Sequence, residues 1–412
     1  MRSTGKILIA LLLVCLLPGC EEASENQINT EQLTGGDLST KYFLKLTGVI
    51  SPYQAYRPRL PITRSEAEGT NHYEVNYDAE GRISGIRHVS KGLLNDNSYI
   101  GVAVVAMDYG DTQLIRRYFD KNNEPAGARR HYYGRREQNV HKEVFEIDPL
   151  GRRKSLTMFD ADGQQVETGY GTYRFEWETQ EDGSFIQKAL KKNGEINIFM
   201  DYFDFLVTHI TLDENGYLDL VKNYGERGQE LVLSEKKKAA YVDFHFDEYG
   251  NEESYSFHDE QGGLVNRGDT GFGSYGYAKV QYIRRTPAKG INDGYETIFF
   301  DENNRQTTAS DGIARQVNYF NDNGDQSGTE YYALDGEKIM PTTIGYFRSE
   351  TDYNEKGDKC EIRYLDQDGR LTNSQSDGAA KVKFVYDDAR SIEVIIKQDK
   401  EGNVLKANKS TN

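Results

Sequence analysis

Tyr77-Asp78-Ala79-Glu80-Gly81-Arg82-Ile83 carries the signature of a tight β-turn between two strands. An aromatic residue precedes Asp, and Gly follows three positions later. The Asp side chain starts a type I turn by accepting backbone N–H groups, and Gly supplies the positive φ that closes a three- to five-residue hairpin. The same form recurs at Ile147-Asp148-Pro149-Leu150-Gly151, Leu212-Asp213-Glu214-Asn215-Gly216, Phe246-Asp247-Glu248-Tyr249-Gly250 and Tyr353-Asn354-Glu355-Lys356-Gly357. Each predicts two antiparallel strands.

Outward from these turns the spacing defines a repeat. A second Gly follows the first by about a dozen residues, as in the pairs Gly151/Gly163, Gly216/Gly228, Gly250/Gly262, Gly324/Gly336 and Gly357/Gly369. Such a gap leaves room for a strand of about eight residues, or about 27 Å. Leading turns fall at residues 81, 110, 151, 183, 216, 250, 290, 324, 357 and 390, with Arg390 in place of the last Gly. The chain therefore predicts about ten units of about 33 residues. At four, six and eight positions before the leading turn stand Tyr77/Val75/Tyr73, Ala106/Val104/Val102, Leu212/Ile210/Thr208, Phe246/Phe244/Val242 and Tyr386/Phe384/Val382. This period-two alternation is that of a half-buried strand. The units at Gly290, Gly324 and Gly357 place Thr286 and Arg284, Gln316 and Asn318, and Ser349 and Thr351 there, and fit the register poorly. The expected fold is all-β, an antiparallel array of about three strands per unit, either an open twisted sheet or a solenoid. Residues 73–405 form this array, 41–72 its N-terminal cap and 406–412 a disordered tail.

Composition agrees with a thin, aromatic array. The 412 residues carry 50 Lys+Arg against 66 Asp+Glu, a net charge of −16, 40 Gly, 29 Tyr and 18 Phe, with a mean hydropathy of −0.75. These values exclude a multi-span membrane protein and a nucleic-acid binder driven by bulk charge. Arg2 and Lys6 precede the apolar run Ile7 to Leu17, which is too short to span a bilayer and has the length of a signal-peptide core. Leu17-Pro18-Gly19-Cys20 resembles the lipobox of bacterial lipoproteins, a resemblance that implies removal of residues 1–19 and acylation of Cys20. The polar stretch through residue 40 is expected to be a flexible tether of about 25 Å reach. By the same resemblance, to lipoproteins of diderm bacteria, Glu21 rather than Asp after the modified Cys implies sorting to the outer membrane. Cys15 would leave with the signal, so Cys360 would have no partner for a disulfide.

Tyr77-Asp78-Ala79-Glu80-Gly81-Arg82-Ile83 and Asp148-Pro149-Leu150-Gly151-Arg152 also resemble the tyrosine-aspartate (YD) repeats of rearrangement-hotspot and teneurin-type shell proteins. The pattern is similar as well to MORN-type and antitoxin-type hairpin repeats. The first resemblance implies hairpins that spiral into a shell, although this chain is far too short to enclose a toxin.

Few residues are spaced for chemistry. Histidines 72, 88, 131, 141, 209, 245 and 258 are scattered without metal-ligand spacing, and the Asp-rich turns at residues 160–163 and 366–369 lack the bidentate acid of a calcium loop. No phosphate loop with its Lys and no Gly-x-Ser-x-Gly elbow is present. No cofactor and no metal are expected. Arg129, Arg130, Tyr132, Tyr133, Arg135 and Arg136 interleave guanidinium and aromatic groups suited to an anion or a glycan, or else form a solvated basic loop. Tyr331-Tyr332-Ala333-Leu334-Asp335-Gly336 resembles glycan-stacking cell-wall-binding repeats; equally, Tyr packs a thin sheet well. The expected function is a non-catalytic, envelope-anchored lipoprotein acting as a protein-interaction scaffold, with a glycan or cell-wall binding module as the alternative.

Overall fold

The turn at Asp78 shows how each unit is made. Its backbone N–H donates to Arg82 O at 2.9 Å, Gly81 N donates to Asp78 O at 3.1 Å, and Asp78 Oδ1 accepts from Glu80 N and Arg82 N at 3.1 and 2.8 Å. Gly81 sits at φ 76°. This closes a bulged hairpin of β3 (His72–Tyr77) and β4 (Ile83–Ser90), with the register shifting between Asn76 and Tyr77. The computed structural model describes residues 40–46, 51–128, 140–199, 204–226, 228, 230–269 and 275–409. Among these, ten such hairpins follow one another. With the flanking strands they form one open antiparallel sheet of 26 strands, numbered β1 to β26 in chain order.

A unit is two long strands and a short arm. After β4 the chain turns and β5 (Leu93–Leu94) pairs with the end of β4, whereas β6 (Val104–Tyr109) pairs with its other half, Gly85 opposite Ala106. In five later units the arm shrinks to a single bridge, such as Phe159 with Gln165. The third strand expected per unit is therefore mostly vestigial.

The register differs from expectation in the second unit. Gly110 opens a tight turn, donating its N–H to Gln113 O at 2.8 Å with Tyr109 opposite Leu114. Losing the bulge shifts the phase by one residue, so Val105 and Met107 face the core in place of Val104 and Ala106. The units that fitted poorly keep their register and carry polar inner faces. Asn318 lies opposite Tyr295 and Thr329, and Thr329 lies opposite Ser349. In the Gly290 unit, β17 (Lys279–Arg284) and β18 (Tyr295–Phe300) are joined by a long loop across residues 285–294 rather than a tight turn.

The ladder does not close, yet the sheet winds back on itself. The leading turn of the eighth unit reaches the far edge of the first: Asn71 Nδ2 donates to Asp325 Oδ1 at 2.6 Å, and Asn323 Nδ2 to Ser90 Oγ at 3.0 Å. In the ninth, Gly357 O accepts from Asn95 at 3.1 Å and Asp358 pairs with Lys121 at 3.0 Å. In the tenth, Arg390 donates to Leu94 O at 2.8 Å. These partners are 233 to 296 residues apart in sequence. One wrap thus takes about seven hairpins of a repeat architecture, and the seam between wraps is polar.

The N-terminal segment fills the first wrap. β1 (Thr40–Leu46) pairs with β2 (Pro58–Ile62) and β3, and β2 borders the sheet with two prolines that cannot offer N–H groups to another strand. Between them residues 51–57 cross the inner face. Arg153 donates to the carbonyls of Pro52, Tyr53 and Gln54 at 2.6, 2.7 and 2.8 Å. Tyr53 stacks on Phe185 at 3.9 Å and meets Trp177 edge-on. Tyr56 takes the Arg116 guanidinium at 4.5 Å, and Arg116 pairs with Glu143 at 2.8 Å, both side chains wholly buried. At the other end β26 (Val404–Lys409) pairs with β25 (Ile392–Gln398), so strand pairing runs past residue 405.

Candidate functional site

Cys20 and the Arg129 to Arg136 patch lie outside the described residues. Tyr331 is buried, and Tyr332 donates to Glu330 at 2.6 Å under the Arg315 guanidinium at 4.2 Å. Both tyrosines are packed into the sheet.

One Ser, His and Asp group is brought together by the fold without any motif in the sequence to announce it. Ser184 Oγ lies 2.6 Å from Asp182 Oδ1 and 2.8 Å from His209 Nε2, and Tyr224 OH is 3.1 Å from His209 Nδ1. It borders a cleft of about 420 Å³ lined by Arg57, Thr211, Asp213 and Glu214. Asp182 only accepts, so the Ser184 hydrogen goes to it and His209 Nε2–H donates to Oγ. A nucleophilic serine needs the reverse, an imidazole nitrogen accepting from Oγ. Burial also lowers the His209 pKa, and the Ser184 hydroxyl lowers that of Asp182. The group is a hydrogen-bonded brace at the turn.

A second cluster lies on the leading rim, where β1, β2 and β17 meet. Lys45 stands directly opposite Arg59 in the β1–β2 ladder. Like charges at opposed positions cost about 0.2–1 kcal/mol. Lys45 Nζ donates to Gly250 O at 2.5 Å and Asn251 Oδ1 at 2.7 Å. Arg59 lies over Tyr217 at 5.1 Å, and its Nε has no acceptor. Arg284 donates to Glu252 O at 2.6 Å, lies 5.6 Å from the Tyr282 and Tyr295 rings, and also has an Nε without acceptor. Beyond Arg59, Arg57 donates to Asn215 O at 2.7 Å. Among the described residues none of the four is in an ion pair.

The charges act on one another. Burial first, then the Arg284 charge, pushes the Lys45 ammonium down to about 7. Burial pushes the Glu252 carboxyl up to about 7 against the pull of Arg284 and Lys45. Burial, and for Arg57 also the Arg59 charge, lowers the pKa values of the Arg57 and Arg284 guanidinium groups. Asp247 is held by its own turn, accepting from Tyr249 N, Asn251 N and Asn251 Nδ2. Asp213 accepts from Tyr217 N in the same way.

Sequence reasoning missed this rim, although a signal was present. Residues 40–63 hold four basic and no acidic residues, and residues 279–292 again hold four and none, in a chain with 66 acids. Only the fold joins the two segments.

No family model and no curated protein matches the chain. Among solved structures, it is similar to a chain of the TcdB2-TccC3-Cdc42 crystal structure, at 10% identity over 90% of this chain and 21% of that one, TM-score 0.27. It is similar also to one from the Photorhabdus luminescens Tc holotoxin pore, at 9% identity over 85% of this chain and 20% of that one, TM-score 0.25. A porin-like protein from Bacteroides uniformis aligns at 7% identity over 74% of this chain and 92% of that one, TM-score 0.20. The chain spans about a fifth of the two toxin chains. With TM-scores well below 0.5, none of these likenesses bears on what the chain does, and the hairpin repeat stands on its own strand pairing.

Proposed function

We propose that this chain is a non-catalytic lipoprotein of the YD-repeat type, acylated at Cys20 and held at the bacterial outer membrane, whose spiral of hairpins is a scaffold for a protein partner. The observation that supports it is an uncovered inner face. In the first wrap Phe145, Phe175, Phe185, Val242 and Phe257 are fully buried there. In the ninth and tenth units Ile362, Tyr364, Phe384 and Ile395 occupy the same face and are only half-buried. The outer face of these strands is a lattice of ion pairs, with Arg363 bridging Glu350, Asp352 and Glu361. An apolar inner strip beside a satisfied charged outer face directs a partner inward.

A photo-crosslinking residue at Tyr364 or Ile395, in intact cells, is expected to trap one protein adduct that the same residue at exposed Lys383 does not. Adducts at neither inner position, with co-sedimentation on purified peptidoglycan, replace the protein partner with a glycan. Cys20→Ser is expected to abolish lipid labelling and release the protein from membranes.

A further inference from the structure

The arginines of this acidic chain usually meet a carboxylate: Arg82, Arg87, Arg116, Arg152, Arg363 and Arg390 each lie within 2.8 Å of one. The leading rim departs from that habit. Lys45 and Arg59 face each other across a ladder, Arg284 joins them from β17 more than 200 residues later, and among the described residues no carboxylate pairs with any of the three. Repelling cations held by tertiary structure in a chain rich in acids mark a site whose counter-ion comes from outside.

We propose that Lys45, Arg59 and Arg284 bind a tetrahedral oxyanion, sulfate or phosphate, either free or as the headgroup of a lipid. Two guanidinium forks and an ammonium suit three oxygens of such a group. Tyr217 behind Arg59, and Tyr282 and Tyr295 beside Arg284, fix the guanidinium planes, and the Nε atoms of both arginines are still without acceptors. The carboxyls facing the site do not compete. Asp213 and Asp247 are engaged in their turns, and Glu252 is held toward its neutral form by burial. A bound anion favours charged Lys45 and neutral Glu252, so binding takes up protons, and affinity falls as pH rises through about 7.

Isothermal titration of the full-length protein in detergent with sodium sulfate, at ionic strength fixed with chloride, tests this. Sulfate keeps its charge across this pH range. Saturable one-site binding is expected, weaker by about tenfold in Arg59→Gln and in Arg284→Gln, as loss of charge-assisted hydrogen bonds predicts, and unchanged in Arg82→Gln. Thermal unfolding of Arg59→Gln should not fall below that of the unsubstituted protein, since a repelling charge is removed. If that variant does not fold, Arg59→Lys, which keeps the charge and loses the fork, should still weaken binding. Flotation of unacylated Cys20→Ser protein on phosphatidic-acid vesicles, but not on phosphatidylcholine alone, assigns the anion to a lipid headgroup; sulfate binding without flotation assigns it to a free ion. No saturable sulfate binding, or binding by both glutamine variants as tight as that of the unsubstituted protein, overturns the proposal.

Discussion

The first seven hairpins and the last three are built from the same turn and similar strands, yet they end in different environments. In the first wrap the inner face meets residues 51–57, and Phe145, Phe175 and Phe185 are fully buried. In the ninth and tenth hairpins Ile362, Tyr364, Phe384 and Ile395 on that face are only half-buried, and hydrogen bonds and an ion pair at one edge hold the last three hairpins to units one and two. Local chemistry is shared, and burial is not. A repeat protein distributes its stability unit by unit, and here the distribution depends on which units close a wrap.

Core truncation should separate the two regions most sharply. Phe185→Ala removes a fully buried ring stacked on Tyr53 and is expected to cost about 4 kcal/mol in urea unfolding, whereas Phe384→Ala in the tenth unit should cost about 1 kcal/mol. Equal costs would show that the second wrap is as well packed as the first. Next in size is the seam. Asp358→Asn leaves Lys121 and Arg390 without their carboxylate and is expected to cost about 3 kcal/mol. Faster hydrogen exchange should then be confined to residues 354–409, and exchange spreading into the first wrap would mean that the seam holds the whole spiral.

The two regions should also respond to acid in different windows. Burial lowers the His88 pKa to about 4, against its bond to Asn95 O. A histidine kept neutral in the folded state contributes stability that is complete above its unfolded pKa of about 6.5, and that contribution is lost as pH falls toward 4. The loss is about 3 kcal/mol at most, and His88→Gln should remove it from a pH series of unfolding midpoints. Burial raises the Asp358 pKa, but bonds from Arg390 and Lys121 outweigh this and hold it below the ordinary value. Its contribution is present above about pH 4 and is lost only as pH falls through the lower folded value. Hydrogen exchange at pH 5 should therefore show loosening around residues 83–95 while the Asp358 contacts persist. The smallest effect is expected at the tenth turn, where Arg390 adopts φ 65° in the place of Gly. Arg390→Gly relieves that strain by about 1 kcal/mol but loses the bonds to Asp358 and Leu94, so a net gain in stability would mean that the seam contributes little.

Much of the unit was legible because its causes are local. Asp78, Gly81 and the alternation of Tyr73, Val75 and Tyr77 sit within a few residues of one another, and the structure pairs them accordingly. At Gly110 a tight turn without a bulge reverses the phase that the alternation predicts, so that Met107 and not Ala106 enters the core. Polar Gln316, Asn318 and Ser349 looked like failures of register. They are inner-face residues around which Asn318 Oδ1 accepts from Gln316, Gln326 and Thr329 at 3.1 to 3.2 Å. The rim of Lys45, Arg59 and Arg284 is not legible in any local window, because β1–β2 and β17 are more than 200 residues apart.

The hairpin, its repeat and the all-β class follow from the residues alone, since turn chemistry and period-two alternation act over a handful of positions. Tertiary structure alone decided that the sheet winds about seven hairpins to a wrap, that residues 51–57 fill the first wrap, and that repelling cations share one rim. Those outcomes depend on strand twist accumulated over many units and on contacts between distant residues, which no short window of sequence encodes.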